Sequence, residues 1–161
     1  MAFSKNPLAI AVVAVSVLGM LASGGCGPRD PAAALKARAQ AFWDAKVAKD
    51  HARSHAYLEP VWKAKMPLET WITSHGLVEW PRAEVWNVII RGSKGTACVQ
   101  YDFVVRGGAV SGESGTAEVG EPWVQVRGVW YKEEVAPLQT PAAPAECGPP
   151  PTKSLDTGGS A

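Results

Sequence analysis

Gly76 divides this chain into two halves of different hydrophobic period, and that change constrains the fold more than any other feature. From Pro31 to His75, apolar residues recur at helical spacing; beyond Gly76, β-branched and aromatic residues come in runs and alternate. Helices first and strands afterwards is the pattern of an α+β domain, with helices packed on one face of an antiparallel sheet. The 161 residues leave room for one such domain once the two ends are set aside.

Within the first half, Asp30 is suited to cap a helix and Pro31 to occupy its first position. Leu35, Ala39, Phe42, Trp43 and Val47 fall on one arc of that helix, interrupted by Lys36 and Lys46. Ala37, Ala41, Ala45 and Ala48 line the other side, where a second element can approach closely. Asp50 caps a second helix carrying His51, His55, Leu58 and Trp62 on one stripe, which Pro60 either kinks or divides. "PLETWITSHG" is read as a third helix, opened by Pro67 and ended by Gly76.

In the second half, "AEVWNVIIR" is a strand apolar on both sides and therefore largely covered. "TACVQYDFVVR" alternates, with Ala97, Val99, Tyr101, Phe103 and Val105 on one side and Thr96, Cys98, Gln100, Asp102 and Val104 on the other. Gly92 to Gly95 forms the hairpin between these two strands. "GGAVSGESGTAEVGEP" is Gly-rich and is read as a long loop or a weak edge strand. "WVQVRGVWYKEEV" gives two short strands around an Arg127-Gly128 turn. Together these make a curved antiparallel sheet of about four strands. From Pro137 onward there is no apolar period and much proline, so an extended or disordered tail is expected.

The start of the chain carries an address. Lys5 precedes an apolar run from Leu8 to about Ala22, shorter than the roughly 20 residues of a membrane-spanning helix. A basic start, an apolar middle and a small-residue end make a secretory signal. The stretch Ala22-Ser23-Gly24-Gly25-Cys26 resembles the bacterial lipoprotein signal, in which small residues precede a lipid-carrying cysteine; Ser23 stands where Leu is commonest. That resemblance implies cleavage before Cys26, lipidation of its thiol and, through Gly27 in place of Asp, sorting to the periplasmic face of an outer membrane. Ordinary cleavage near Gly24 or Gly25, or an uncleaved anchor, are the alternatives. The expected organisation is a signal peptide over 1–25, a tether over 26–30, the domain over 31–135 and the tail over 136–161. With Cys26 spent on lipid, Cys98 and Cys147 remain, either as a disulfide that pins the tail or as two separate thiols.

Two stretches resemble the nuclear transport factor 2-like superfamily: "AQAFWDAKVAKDHARSHAYLEP", similar to its helix-turn-helix opening, and "EPWVQVRGVWYKEE", similar to its final hairpin. They bracket the chain from Pro31 to Val135. The resemblance implies a cone, a curved sheet wrapped around helices with a pocket at the open end. It implies no single activity, because the superfamily holds isomerases, dehydratases, cyclases and binding proteins alike.

Candidate site residues follow from chemistry and placement. Asp102, mid-strand among aromatic residues, with Tyr57 and His55 as hydrogen-bonding partners, is the set a cone-pocket isomerase or dehydratase would use. Alternation, however, puts Asp102 opposite the apolar side of its strand. His51 and His55 stand at i and i+4, but two ligands fall short of the three or four that zinc takes, so neither a metal nor a cofactor is assigned. Most of the seven tryptophans read as core; Trp80, beside Pro81, reads as lying at a pocket mouth, with Tyr101 as a second ligand-binding residue. The formal charge is +1, and loss of Lys5 with the signal leaves the mature side chains balanced. With no basic run interleaved by aromatics, nucleic acid is not an expected partner. The expected protein is a lipid-anchored envelope component. Its domain binds a small apolar or aromatic ligand or another envelope protein without catalysis, with an enzyme or an assembly lipoprotein contacting partners through the tail as alternatives.

Overall fold

The computed structural model describes residues 30–108, 111–133 and 142–151. The expected signal peptide, Cys26 and the tether up to Arg29 lie outside these residues. Four helices come first: α1 (Pro31–Val47), α2 (His51–Ala56), α3 (Pro60–Lys65) and α4 (Leu68–His75). Four strands follow, β1 (Val78–Arg91), β2 (Lys94–Val105), β3 (Ser114–Val126) and β4 (Val129–Lys132), and a 3-10 turn spans Ala145–Cys147. The strands form one curled antiparallel meander in the order β1-β2-β3-β4, so the fold is α+β with a curved sheet.

The helix boundaries have local causes. Asp30 Oδ1 accepts a hydrogen bond from the Ala32 amide at 2.9 Å, and Asp50 Oδ1 accepts one from Arg53 at the same distance. Pro60 starts a helix of its own, because proline lacks the N–H that continuation of α2 would need. The expected three helices are therefore four. Between α2 and α3, Leu58 is drawn into a parallel bridge with Lys132: the Lys132 amide donates to the Tyr57 carbonyl and the Glu59 amide to the Lys132 carbonyl, at 2.9 and 3.1 Å.

Leu35, Ala39, Phe42 and Trp43 of α1 are buried against Val85, Ala97, Val99, Val119, Trp123 and Trp130 of the sheet. Ala45 is buried as well, while Val47 is only half-buried and Ala37 and Ala48 are exposed, so the buried arc is rotated toward Ala45. Two register shifts bend β1, one between Glu79 and Arg82 and one between Val85 and Asn87. Such bulges increase local twist and curl the strand. The curl brings both margins of the sheet to α1. Gln40 accepts from the Val85 amide at 2.8 Å and Lys36 donates to the Trp86 carbonyl at 3.0 Å on the β1 side, while Arg38 Nε donates to the Trp130 carbonyl on the β4 side.

Two expectations are corrected. The Gly-rich stretch is not a loop throughout: from Ser114 it is a central strand, paired with β2 over its length. Glycine is tolerated there because neighbours need the room, since a Cβ on Gly120 would stand 2.6 Å from Pro144 Cδ. The second correction concerns the tail, because Ala142 to Cys147 lies against the sheet face opposite α1. Ala142 bridges to Val119, and Cys98 is bonded to Cys147 with their Cα atoms 5.8 Å apart. Trp86 Nε1 and Asn87 Nδ2, side by side at the β1 bulge, both donate to the Cys147 carbonyl at 3.1 Å. The domain therefore extends past residue 135. The Arg127-Gly128 turn has positive φ at both residues, 51° and 80°, the geometry a two-residue hairpin requires.

Candidate functional site

Between α1, α4 and the concave face of the sheet lies a cavity of about 260 Å³. Its position follows from periodicity on both sides. Phe42, Trp43 and Lys46 occupy one face of α1 at i, i+1 and i+4, and Trp71, Ser74 and His75 face them from α4. Tyr101, Glu121 and Lys132 lie on the same side of β2, β3 and β4 as the buried Ala97, Val119 and Trp130, each an even number of residues away. Trp80, at the first β1 bulge, closes one end.

The walls are aromatic and ordered relative to each other. Trp43 stacks on Tyr101 with ring centroids 4.8 Å apart and planes 22° from parallel. Trp80 meets Trp43 edge to face at 6.3 Å and 75°, which makes a corner of two indoles. The Lys46 ammonium sits in that corner, 3.9 Å from the Trp80 centroid and 4.5 Å from that of Trp43. Trp71 and His75 lie against each other, centroids 3.8 Å apart. Trp71 Nε1 donates to Ser54 Oγ at 3.0 Å, fixing the ring.

Deeper in, a carboxylate and an ammonium are buried in this apolar setting. Glu121 and Lys132 are 4% and 6% exposed, and Lys132 Nζ lies 3.5 Å from Glu121 Oε1. Trp43 Nε1 donates to the other carboxylate oxygen at 2.9 Å. A buried pair of this kind contributes little to stability compared with a hydrophobic replacement, because both ions lose their hydration.

The same surroundings set the protonation states of two neighbours. Burial, and then the positive charge of Lys46, hold the His75 imidazole down at about 4. The ring is neutral at pH 7. Its Nδ1 lies 2.9 Å from the Trp71 carbonyl, which can only accept, so Nδ1 carries the proton and Nε2 the lone pair. Burial pushes the Tyr101 hydroxyl above its ordinary value, and the Glu121 charge adds to this, so the phenol stays protonated.

The structure brings Trp80 and Tyr101 together in this cavity but does not bring together Asp102, Tyr57 and His55. Asp102 is one residue from Tyr101 and so points to the opposite sheet face, where Thr116 Oγ1 donates to it at 2.7 Å. Tyr57 packs edge-on against Phe42, with the Arg38 guanidinium over its ring at 4.8 Å. His55 Nε2 donates to the Met66 carbonyl at 2.8 Å. An acid-base set built on these three has no common substrate position. Among the described residues, no three His, Cys, Asp or Glu side chains gather in a way that could hold a metal ion.

Sequence reasoning missed Lys46, His75, Glu121 and Lys132. The available signals were a lysine interrupting the apolar arc of α1 and a lysine two residues from Trp130, on the same side of a strand. Glu121 gave none, because its strand was hidden among glycines.

The fold and cavity define a class: an α+β domain in which a curled four-stranded sheet closes over helices and leaves a small aromatic pocket between them. No protein-family model matches the chain, and no curated protein matches it. Among solved structures it is similar to a SEC-C motif containing protein from Rhodopseudomonas palustris, determined in solution. That match has a TM-score of 0.52 and 19% identity, over 63% of this chain and 77% of the other. At that identity the likeness is one of fold alone.

Proposed function

We propose that this chain is an exported, lipid-anchored cell-envelope protein, held through Cys26 at the periplasmic face of an outer membrane. Its nuclear transport factor 2-like cone binds a small, ring-containing ligand without catalysing a reaction. The observation that carries the ligand-binding half is the aromatic cavity itself. Its volume, about 260 Å³, is close to the roughly 300 Å³ at the small end of ligand sites. Apolar walls with a few convergent polar groups are the usual make-up of such a site. A ring of the size of an aromatic side chain buries roughly 150–250 Å², a gross gain of about 4–6 kcal/mol before the costs of association.

The address rests on the residues before Cys26 and is supported by the Cys98–Cys147 bond, a linkage that persists in oxidising compartments. The lack of convergence of Asp102, Tyr57 and His55 favours binding over the enzyme alternative. The assembly alternative, with the Pro-rich tail as contact element, is disfavoured because the part of the tail from Ala142 to Cys147 is already held on the chain's own sheet.

Two measurements test the reading. Intact mass of the protein extracted from a bacterial envelope is expected to show an N-terminus at Cys26 carrying acyl chains, and Cys26→Ser is expected to release the protein from the membrane fraction. An unmodified terminus before Cys26 overturns the address. Indole titrated into the full chain is expected to shift the side-chain N–H resonances of Trp43 and Trp80; unmoved resonances overturn the pocket.

A further inference from the structure

We propose that a cleft between α1 and α2 is a second ligand site, which takes a phosphate group between Arg38 and Arg53. It shares no lining residue with the aromatic cavity and goes beyond the reading given above. The cleft measures about 250 Å³ and is lined by Arg38, Arg53, Ala56 and Tyr57. Arg53 and Tyr57 stand at i and i+4, one helical turn apart, so both lie on the side of α2 that Arg38 reaches from α1.

Arg38 is held ready for such a group. Its Nε donates to the Trp130 carbonyl, and its guanidinium lies over the Tyr57 ring at 4.8 Å and the Tyr131 ring at 5.4 Å. A guanidinium has five N–H donors, so four remain on the terminal nitrogens, and none of them finds an acceptor among the described residues. Arg53 gives its backbone amide to Asp50 Oδ1, and its guanidinium likewise has no acceptor among the described residues. Neither arginine has a carboxylate partner among them. Lys63 Nζ, 3.1 Å from the Ala56 carbonyl, adds a cation at the rim. A carboxylate offers two oxygens and a single charge. A phosphate monoester offers three free oxygens and about 1.5 to 2 charges at pH 7, which suits two guanidinium forks better.

Inorganic phosphate, glycerol 3-phosphate and acetate are each titrated into the full chain at constant ionic strength. Binding is followed by the amide resonances of Ala56 and Tyr57 and the Nε–H of Arg38. Both phosphates are expected to bind about tenfold tighter than acetate, the size of one charge-assisted hydrogen bond. Arg53→Gln, at an exposed residue, is expected to weaken phosphate by about tenfold, and Arg38→Lys, which keeps the charge and loses the fork, by a similar factor. Arg82→Gln removes the same charge beside Asp102 on the opposite sheet face and is expected to change nothing. Dihexanoylphosphatidylglycerol, below its micellar concentration, carries the phosphate as a lipid diester. Tighter binding than glycerol 3-phosphate assigns the site to a headgroup, and weaker binding assigns it to a free phosphate ester. No saturable shift with any phosphate, equal binding of acetate, an affinity that survives Arg53→Gln, or an equal loss in Arg82→Gln overturns the site. None of these results touches the aromatic cavity, whose own test reads Trp43 and Trp80.

Discussion

The Cys98–Cys147 bond ties the tail to the sheet across 49 residues of sequence, and cutting it has a calculable effect. A cross-link of that span removes loop entropy from the unfolded chain worth about 4 kcal/mol in the chain-entropy treatment. Set against the roughly 5–15 kcal/mol that holds a domain of this size together, this is a large fraction. Cys98 is fully buried, so a reductant reaches it slowly, and substitution is the cleaner perturbation. Cys147→Ala leaves the Cys98 sulfur in place as a packed thiol and frees the tail. Trp86 and Asn87 lose a shared acceptor only if the tail departs, and both then regain water. The assay is urea unfolding of the full chain followed by tryptophan fluorescence. With a slope of about 2 kcal/mol per molar, the midpoint is expected to fall by roughly 2 M. A chain ending at residue 141 is expected to match Cys147→Ala to within about 1 kcal/mol, because an untethered tail adds little. A midpoint that moves by less than about 0.5 M in Cys147→Ala refutes the reasoning: the tail would then be held by its packing, and the bond would constrain the unfolded chain hardly at all.

Two further outcomes follow from the cavity. Glu121→Gln takes the carboxylate from beside Lys132 and weakens the acceptor for Trp43 Nε1, and is expected to destabilise by about 3 kcal/mol. Adding Lys132→Met is expected to cost much less than the sum of the two changes in a double-mutant cycle, and simple additivity would contradict the pairing. His75 is held at about 4 against an ordinary 6.5, so between those pH values the unfolded chain binds a proton that the folded chain refuses. Stability therefore falls as pH falls through that window, by about 1–2 kcal/mol once solvent access to the half-buried ring is allowed for. His75→Gln is expected to flatten that part of the urea midpoint against pH; parallel curves for the two proteins would refute it.

Much of the scaffold was legible in the sequence, and the exceptions have identifiable physical causes. Capping by Asp30 and Asp50, the buried arc of α1, the alternation of β2 and the Arg127-Gly128 turn depend on local chemistry, and local chemistry is what a sequence displays. The stretch from Ser114 is a strand, but a central one rather than the loop or weak edge strand expected of glycine's low intrinsic strand preference. In the folded chain, Gly115 and Gly120 make room for Phe103 and Pro144, contacts made across the sheet and from the tail. The site was half visible. Trp80 and Tyr101 stand out as aromatics beside a proline and on an alternating strand. Glu121 and Lys132 face each other only once the β3–β4 hairpin has its register, Trp123 opposite Lys132. Asp102 attracted an enzyme reading by residue type, although its own position in the alternation already turned it away from Tyr101.

The margins of the sheet bear on how such a protein can live at high density. Edge strands with free amides and carbonyls are templates for joining one molecule to the next. Here Lys36 and Gln40 occupy backbone groups along β1, while Arg38 and the Tyr57–Glu59 segment occupy those of the short β4. Three polar side chains on a single helix thus act as a selvedge, finishing both borders of the weave. Copies crowded side by side would then meet as neighbours without being stitched into a fibre.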